Sequence, residues 1–99
     1  MERLSNIHPG DILIEEFLKP LKLSAYKLSR DLKIPHSLIY QILKGRKRIT
    51  VNTALKLGVY FGNSAKFWIG LQDDFDIEKV IFTKYEILER INSRGSINK

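Results

Sequence analysis

Residues 24–48 read SAYKLSRDLKIPHSLIYQILKGRKR, and their pattern predicts how the centre of the chain is built. Ser24 is a preferred residue type at helix N-termini, and small or apolar residues recur after it at helical spacing. A break at residues 33–35, which includes a proline, ends this first helix. A second apolar-periodic run follows and ends at Gly45, a residue type that commonly terminates helices. The stretch therefore predicts two short helices joined by a tight turn, with the cations of residues 46–48 directly after the second helix.

The positive charge of the chain is concentrated around this stretch. The whole chain carries a net charge of +6, but residues 19–56 hold ten basic side chains and one acidic side chain, a net charge of +9. Residues 1–18 have a net charge of −3, and residues 57–99 are neutral. Such a basic block indicates a polyanionic partner, because each phosphate neutralised by Lys or Arg releases condensed counterions. The alternative is a solvated face that keeps the protein soluble.

The predicted pair of helices and its short turn form a helix-turn-helix. A second helix of this kind is narrow enough to enter the major groove of B-DNA, where its first turn points side chains at base edges. The first helix crosses the phosphate backbone and packs closely on the second, and the small residues Ala25 and Ser29 allow that approach. The predicted inner faces are Ala25, Leu28, Ser29 and Leu32 in the first helix, and Ile39 and Ile42 in the second.

Another helix is predicted ahead of this stretch. Pro9 opens it, because the first turn of a helix needs no amide donor, and Asp11 then lies near the positive end of the helix dipole. Pro20 ends this helix or lies in its last turn. Its predicted apolar stripe is Ile14, Phe17, Leu18 and Leu21.

Two further helices follow the stretch. Thr50 caps one that ends at Gly62, and Ser64 caps the next, in which Phe67 and Trp68 are expected to lie in the core. The predicted apolar stripes are Ala54, Leu57 and Phe61 in the fourth helix, and Phe67, Trp68, Leu71 and Phe75 in the fifth.

The fifth helix is expected to end in a solvated group of aspartates, Asp73, Asp74 and Asp76. Residues 77–91 fit a sixth helix with Ile77, Ile81, Tyr85 and Leu88 on one face, but the run Val80-Ile81-Phe82 fits a short strand equally well. Residues 93–99 are expected to fray.

Length and composition exclude several classes of protein. At 99 residues the chain makes one domain. Its lack of cysteine excludes disulfides, thiolate metal sites and cysteine nucleophiles. No apolar run approaches the ~20 residues that cross a bilayer, and residues 1–6 lack the apolar core of a signal peptide. A soluble, cytoplasmic protein without a membrane partner is therefore expected.

No group of side chains predicts catalysis, a metal site or a cofactor. His8 and His36 lie far apart without a third ligand, and the aspartates near residue 75 are not followed by a glycine-bearing calcium loop. His8 precedes a proline and is instead expected to be a helix-entry residue. Asp31 is the only carboxylate in the basic block, so a hydrolase or nuclease would lack paired acid and base groups. The sequence therefore predicts a protein that is not an enzyme.

A longer pattern of segments extends beyond the helix-turn-helix: HPGDIL at 8–13, FL at 17–18, GRKRIT at 45–50, TALKL at 53–57, FG at 61–62 and FWIGLQ at 67–72. Residues 24–48 resemble the Cro/repressor-like helix-turn-helix domains. The longer pattern, over roughly residues 7–77, resembles the HigA/VapI-type antitoxins of host-inhibition-of-growth toxin–antitoxin modules. The HPG opening and the FWIGLQ segment together make this second resemblance fairly specific, whereas a helix-turn-helix alone is not.

The resemblance implies an all-α fold, a five-helix DNA-binding domain in residues 1–76 with a C-terminal extension in residues 77–99. It also implies that a homodimer binds double-stranded operator DNA, represses its own operon, and neutralises a cognate toxin that cleaves mRNA, with no cofactor. A stand-alone regulator of the same fold, without a toxin partner, is the alternative. Residues 77–91 and the fifth helix are the expected dimer surface, and the acidic side chains Asp11, Glu15 and Glu16 are a candidate surface for a basic toxin.

The same resemblance assigns DNA contacts residue by residue. Gln41 would pair with adenine through two hydrogen bonds, and Tyr40 would reach a thymine methyl or a phosphate. The residues expected to contact bases are His36, Ser37, Tyr40 and Gln41. The residues expected to contact phosphates are Ser24, Lys27, Lys44, Arg46, Lys47 and Arg48.

Three positions depart from the family pattern. Ala25 stands where the repressors usually have a glutamine, which removes one expected phosphate contact. Lys33 stands where a turn glycine is usual, and a lysine in a left-handed conformation costs on the order of 1 kcal/mol. Leu38 stands where the antitoxins usually have a polar or basic residue. These departures bear on the set of DNA contacts more than on the fold.

Overall fold

The computed structural model describes residues 6–97, with side chains as far as residue 94, and this part of the chain is helical without strands. The first helix, α1, consists of three consecutive segments. The bounds are Pro9–Ile12, Leu13–Leu18 and Lys19–Leu21 for α1, Ala25–Leu32 for α2, His36–Leu43 for α3, Val51–Phe61 for α4, Ala65–Thr83 for α5 and Tyr85–Ile97 for α6. The predicted all-α class is confirmed, and the alternative of a strand at residues 80–82 is wrong. The expectations for residues 1–5, 98 and 99 lie outside the described residues.

The middle of α1 is a π-helix, which the sequence did not predict. The amide of Lys19 donates to the carbonyl of Ile14, five residues back, and Pro20 lies in the last turn as expected. A wider turn moves the buried face, because residues five apart then lie above each other. Leu13 and Leu18 are buried, whereas Leu21, which was predicted to lie on the inner stripe, is 61% exposed.

The predicted helix caps are confirmed. The side-chain oxygens of Ser24, Thr50 and Ser64 each accept a hydrogen bond from the amide three residues on, at 3.0, 3.4 and 3.1 Å. Gly45 and Gly62 adopt positive φ angles of 74° and 76° directly after α3 and α4. Glycine suits these positions because it has no Cβ to clash in the left-handed conformation.

Trp68 lies at the centre of the core, as predicted. It is fully buried, its ring centroid is 5.1 Å from that of Phe17, and its indole nitrogen donates to Asn63 Oδ1 at 2.8 Å. The prediction that Phe67 is also in the core is wrong, because its side chain is 41% exposed. Adjacent residues on a helix point about 100° apart, so Phe67 packs edge-on against Trp68 at the rim of the core.

Helix α5 is longer than the sequence indicated. It continues through Asp76 to Thr83, so the three aspartates do not mark its end. No glycine or proline follows Gly70 before residue 83, and exposed carboxylates are not by themselves a stop signal. The predicted separation of a sixth helix at residue 77 is therefore wrong. Helix α6 continues to residue 97, and the expected fraying from residue 93 stays a prediction.

The long α5 and α6 give the molecule an elongated shape, with principal extents of 54 × 22 × 22 Å. None of the described helices is both long enough and apolar enough to cross a membrane.

Candidate nucleic-acid interface

The turn between α2 and α3 is fixed by two backbone hydrogen bonds. The amides of Lys33 and Ile34 donate to the carbonyls of Arg30 and Ser29 at 3.2 and 3.0 Å. These two hydrogen bonds form a Schellman motif, in which Lys33 adopts the left-handed conformation with φ 58° and ψ 46°. The left-handed lysine expected from the sequence is thus present. The turn holds the two helices in one relative orientation.

The two faces of α3 differ in character. Ile39 and Ile42 point inward and are 1% exposed, as predicted. Ser37 and Tyr40 are exposed, and Gln41 is half-buried. Because residues three and four apart lie on the same side of a helix, Ser37, Tyr40 and Gln41 form one outward face. The structure thus brings these predicted base-reading residues together, while their contacts with bases remain predictions.

An aromatic cluster lies at the start of α3. The His36 ring meets Tyr40 edge-on at 4.4 Å and Tyr26, from α2, at 5.3 Å. The Arg30 guanidinium carbon lies 5.8 Å from the Tyr26 ring centroid. His36 is half-buried and its Nδ1 atom is enclosed without a hydrogen-bond partner among the described residues. The sequence reading missed Tyr26, although a large aromatic residue beside the helix cap at Ser24 was a usable signal.

The basic loop, residues 44–48, begins at the end of α3. A second Schellman motif fixes its start, because Gly45 and Arg46 donate backbone hydrogen bonds to Ile42 and Gln41 at 3.0 and 2.8 Å. Lys44, Arg46 and Lys47 are exposed and form no ion pair with any described residue. Three of the predicted phosphate contacts therefore present free charges beside the outer face of α3.

The basic loop is tied to α5 by a polar network. The amide of Ile49 donates to Gln72 Oε1 at 2.7 Å, and Gln72 Nε2 donates to Asp76 Oδ1 at 3.1 Å. Asp76 Oδ2 in turn accepts from the Arg48 guanidinium at 2.7 Å. Gln72 is 1% exposed, and the sequence reading missed it. Gln72 is the last residue of the FWIGLQ segment, and that was the available signal. Because a buried polar side chain needs hydrogen-bond partners, its burial requires contacts such as these.

His8 supports the basic loop from the other side. Its Nδ1 accepts from the amide of Gly10 at 2.9 Å, which caps α1, so the helix-entry role predicted for it is confirmed. The ring contacts Phe75 edge-on at 4.8 Å and hydrogen-bonds to the backbone of Lys47. Burial lowers the pKa of His8 below its ordinary value of 6.5, and nearby Asp11 opposes this only in part.

The lowered pKa of His8 predicts a loss of stability in mild acid. A neutral imidazole is favoured in the folded state, so this contribution is complete above the unfolded pKa of 6.5 and declines as pH falls from there through the folded pKa. We expect His8→Asn, which keeps an N-capping side chain without a titration in this range, to flatten that part of the profile. Urea unfolding at a series of pH values measures the free energy of unfolding of both proteins. An identical decline in the two would show that His8 does not cause the loss of stability in mild acid.

The residues predicted to contact phosphate at the start of α2 have partners within the protein. Ser24 Oγ accepts the capping bond from the Lys27 amide, and the Lys27 ammonium pairs with Asp31 at 3.0 Å. Both residues remain exposed.

On α1, the acidic side chains at 11, 15 and 16 are exposed, and Glu15 pairs with Lys19. Among the described residues, no three His, Asp or Glu side chains are grouped to hold a metal ion.

Comparison with known proteins gives close relatives, although no family model matches the chain. The chain is 44% identical over 72 residues to virulence-associated protein I of Dichelobacter nodosus, which covers 73% of this chain and 67% of that protein. The curated relatives are longer, and the chain spans about two thirds of their length.

Solved structures agree over most of the chain. The Pseudomonas aeruginosa antitoxin HigA with the higBA promoter superposes with a TM-score of 0.84 and 32% identity, over 87% of this chain and 94% of that one. A HigA-family addiction-module antidote protein of Coxiella burnetii superposes with a TM-score of 0.83 and 39% identity, over 88% and 95%.

Proposed function

The chain belongs to the HigA/VapI-type family of helix-turn-helix antitoxins, and from this premise we propose that it binds the operator of its own operon and represses transcription. Proteins of this family are DNA-binding regulators and antitoxins and not enzymes. We further propose that residues 1–76 form the DNA-binding part and residues 77–99 an extension used in assembly.

The observation that carries this proposal is the outer face of α3 with the basic loop at its end. Side chains with hydrogen-bonding groups lie where a major groove would receive them, and free cations lie where the flanking phosphates would pass. The proposed base contacts are His36, Ser37, Tyr40 and Gln41. The proposed phosphate contacts are Ser24, Lys27, Lys44, Arg46, Lys47 and Arg48.

The proposal is tested by titrating a fluorescent duplex, taken from the DNA preceding its own gene, at several salt concentrations. We expect tight binding that weakens steeply with salt. The magnitude of the slope of the logarithm of the binding constant against the logarithm of the salt concentration, called the salt slope below, should be about 0.9 for each phosphate neutralised. A shuffled duplex of the same length should bind far more weakly. Affinity that does not depend on salt, or equal affinity for both duplexes, would refute operator binding.

Replacing Gln41 by alanine separates base reading from electrostatic binding. Because a bidentate contact discriminates between bases by about 1–3 kcal/mol, we expect Gln41→Ala to lose roughly 5- to 100-fold in operator affinity and little in affinity for shuffled DNA. The salt dependence should stay unchanged, since no cation is lost. Competition binding with both duplexes measures this, and an equal loss on the two would contradict a reading role.

We propose that the protein acts as a homodimer joined through α5 and α6. Eight apolar side chains between residues 77 and 91 are each at least 38% exposed, and contiguous exposed apolar surface of this kind marks interaction sites. Two copies would place their α3 helices one DNA turn, ~34 Å, apart and would bind with avidity. The exposed apolar residues are Ile77, Val80, Ile81, Phe82, Tyr85, Ile87, Leu88 and Ile91.

Introducing charge into this surface tests the dimer. We expect the chain to sediment as a dimer at about tens of micromolar, and Ile81→Glu with Leu88→Glu to sediment as a monomer that binds the operator at least ~10-fold more weakly. Val59→Glu is the control, because Val59 is 84% exposed on α4, outside the proposed interface. A monomeric parent protein, or a double variant that remains dimeric, would contradict the proposal.

We also propose that the protein neutralises a basic toxin that cleaves mRNA, through the exposed acidic side chains Asp11, Glu15 and Glu16 on α1. Opposite charge on the two surfaces supports this pairing and would accelerate their association. Co-expression with the neighbouring open reading frame, followed by co-purification, is the test. Loss of the complex on replacing the three carboxylates would support the assignment. A stand-alone regulator would purify alone in every case.

A further inference from the structure

The network between the basic loop and α5 does more than join two elements. Arg48 is the last cation of the loop, and its guanidinium is the one group there that is paired with a carboxylate, Asp76, among the described residues. The carboxylate belongs to a helix outside the helix-turn-helix. In its turn, that carboxylate is oriented by Gln72, which is fully buried and bonded to the loop backbone at Ile49.

We propose that Asp76 is a positioning residue that holds the Arg48 guanidinium ready for a DNA phosphate. The guanidinium carries five N–H groups in a planar fork, and the bond to Asp76 occupies one of its terminal nitrogens. The Arg48 side chain remains 52% exposed, so the rest of the fork is open to solvent. This inference rests on the proposed DNA binding and adds a residue of α5 to the interface.

The alternative is that Asp76 competes with phosphate for Arg48. Two features argue against simple competition. Asp76 Oδ1 accepts a hydrogen bond from Gln72 at 3.1 Å, so the carboxylate has an anchor on the protein besides Arg48. An arginine that bridges a fixed carboxylate and a phosphate needs no reorganisation on binding, whereas a free arginine side chain must lose its rotamer freedom.

The matched pair of variants Asp76→Ala and Asp73→Ala tests the proposal. Asp73 is an exposed carboxylate one helical turn earlier on α5, so both variants remove the same charge from the same region. Charge alone would make both bind the operator duplex somewhat more tightly. If Asp76 positions Arg48, Asp76→Ala binds about 3- to 10-fold more weakly than Asp73→Ala, and its salt slope is lower by up to about 0.9.

A double-mutant cycle supplies a readout that a purely structural role would not move. We expect Arg48→Ala to weaken operator binding in the parent protein, and to weaken it much less in the Asp76→Ala background. Asp76→Asn serves as a second, isosteric variant if Asp76→Ala unfolds. Operator affinity of the Asp76 variants equal to or above that of Asp73→Ala, with an unchanged salt slope, would overturn the proposal. A parent protein that binds no duplex would instead defeat the proposed function on which it depends.

Discussion

Replacing Arg46 and Lys47 together by alanine is expected to weaken binding to the operator duplex by about 10- to 100-fold at moderate salt. Both side chains are exposed, and neither is paired within the described residues, so their charges are available to phosphates. The salt slope should fall by about 1.8, which corresponds to two phosphate contacts. The backbone bond from Arg46 to Gln41 does not depend on the side chain, so the loop should keep its shape.

The control is the double variant Lys19→Ala with Lys66→Ala, which removes the same charge from α1 and from the start of α5. Both lysines are exposed, and neither is among the proposed DNA contacts. Affinity titrations on the operator and on shuffled DNA should show only a small change in this control. An equal loss in both double variants would mean that net charge alone, rather than the basic loop, sets the affinity.

The second large effect is expected at Gly10, where α1 crosses the end of α3. A Cβ at this position would overlap the carbonyl of Ile42 and come within 3.1 Å of the Leu43 Cα, and both are backbone atoms that cannot move aside cheaply. The Ile42 carbonyl also accepts the Gly45 amide that ends α3. We expect Gly10→Ala to lower the free energy of unfolding by about 1–3 kcal/mol, despite the better helix propensity of alanine.

Gly70 provides the matched control within a helix. A Cβ there meets no atom within 4 Å, so Gly70→Ala gains helix propensity without a clash. We expect it to raise the free energy of unfolding by about 0.5–1 kcal/mol. Urea denaturation of the three proteins measures both changes. Equal stabilisation by the two substitutions would show that α1 does not approach α3 as closely as described.

The parts of the fold that sequence predicted are those set by local interactions. Ser24, Thr50 and Ser64 cap the helices that they precede because each side-chain oxygen reaches an amide in its own first turn. The buried positions of α3, Ile39 and Ile42, follow from helical periodicity alone. The relation of the basic loop to α3 was likewise readable, since Gly45 determines how the helix ends.

The parts that sequence missed depend on contacts between distant residues. Gln72 is buried because the amide of Ile49, 23 residues earlier, needs an acceptor, and no periodicity in α5 reveals that demand. The π-helical turn of α1 shifts burial from Leu21 to Leu13 without a local sequence signal. The aspartates of α5 were mistaken for a helix end because a sequence shows their charge, which suggests solvent exposure. It does not show the hydrogen bond that Arg48 donates to Asp76.

We expect the outer face of α3 and the basic loop to meet DNA directly. Nuclear magnetic resonance of the isotope-labelled protein, titrated with the operator duplex, tests it residue by residue. We predict that the largest shifts of amide signals fall in residues 36–48, with smaller shifts at the start of α2. Shifts confined to α4 or to α5 and α6, with Ser37, Gln41 and Lys47 unchanged, would contradict it.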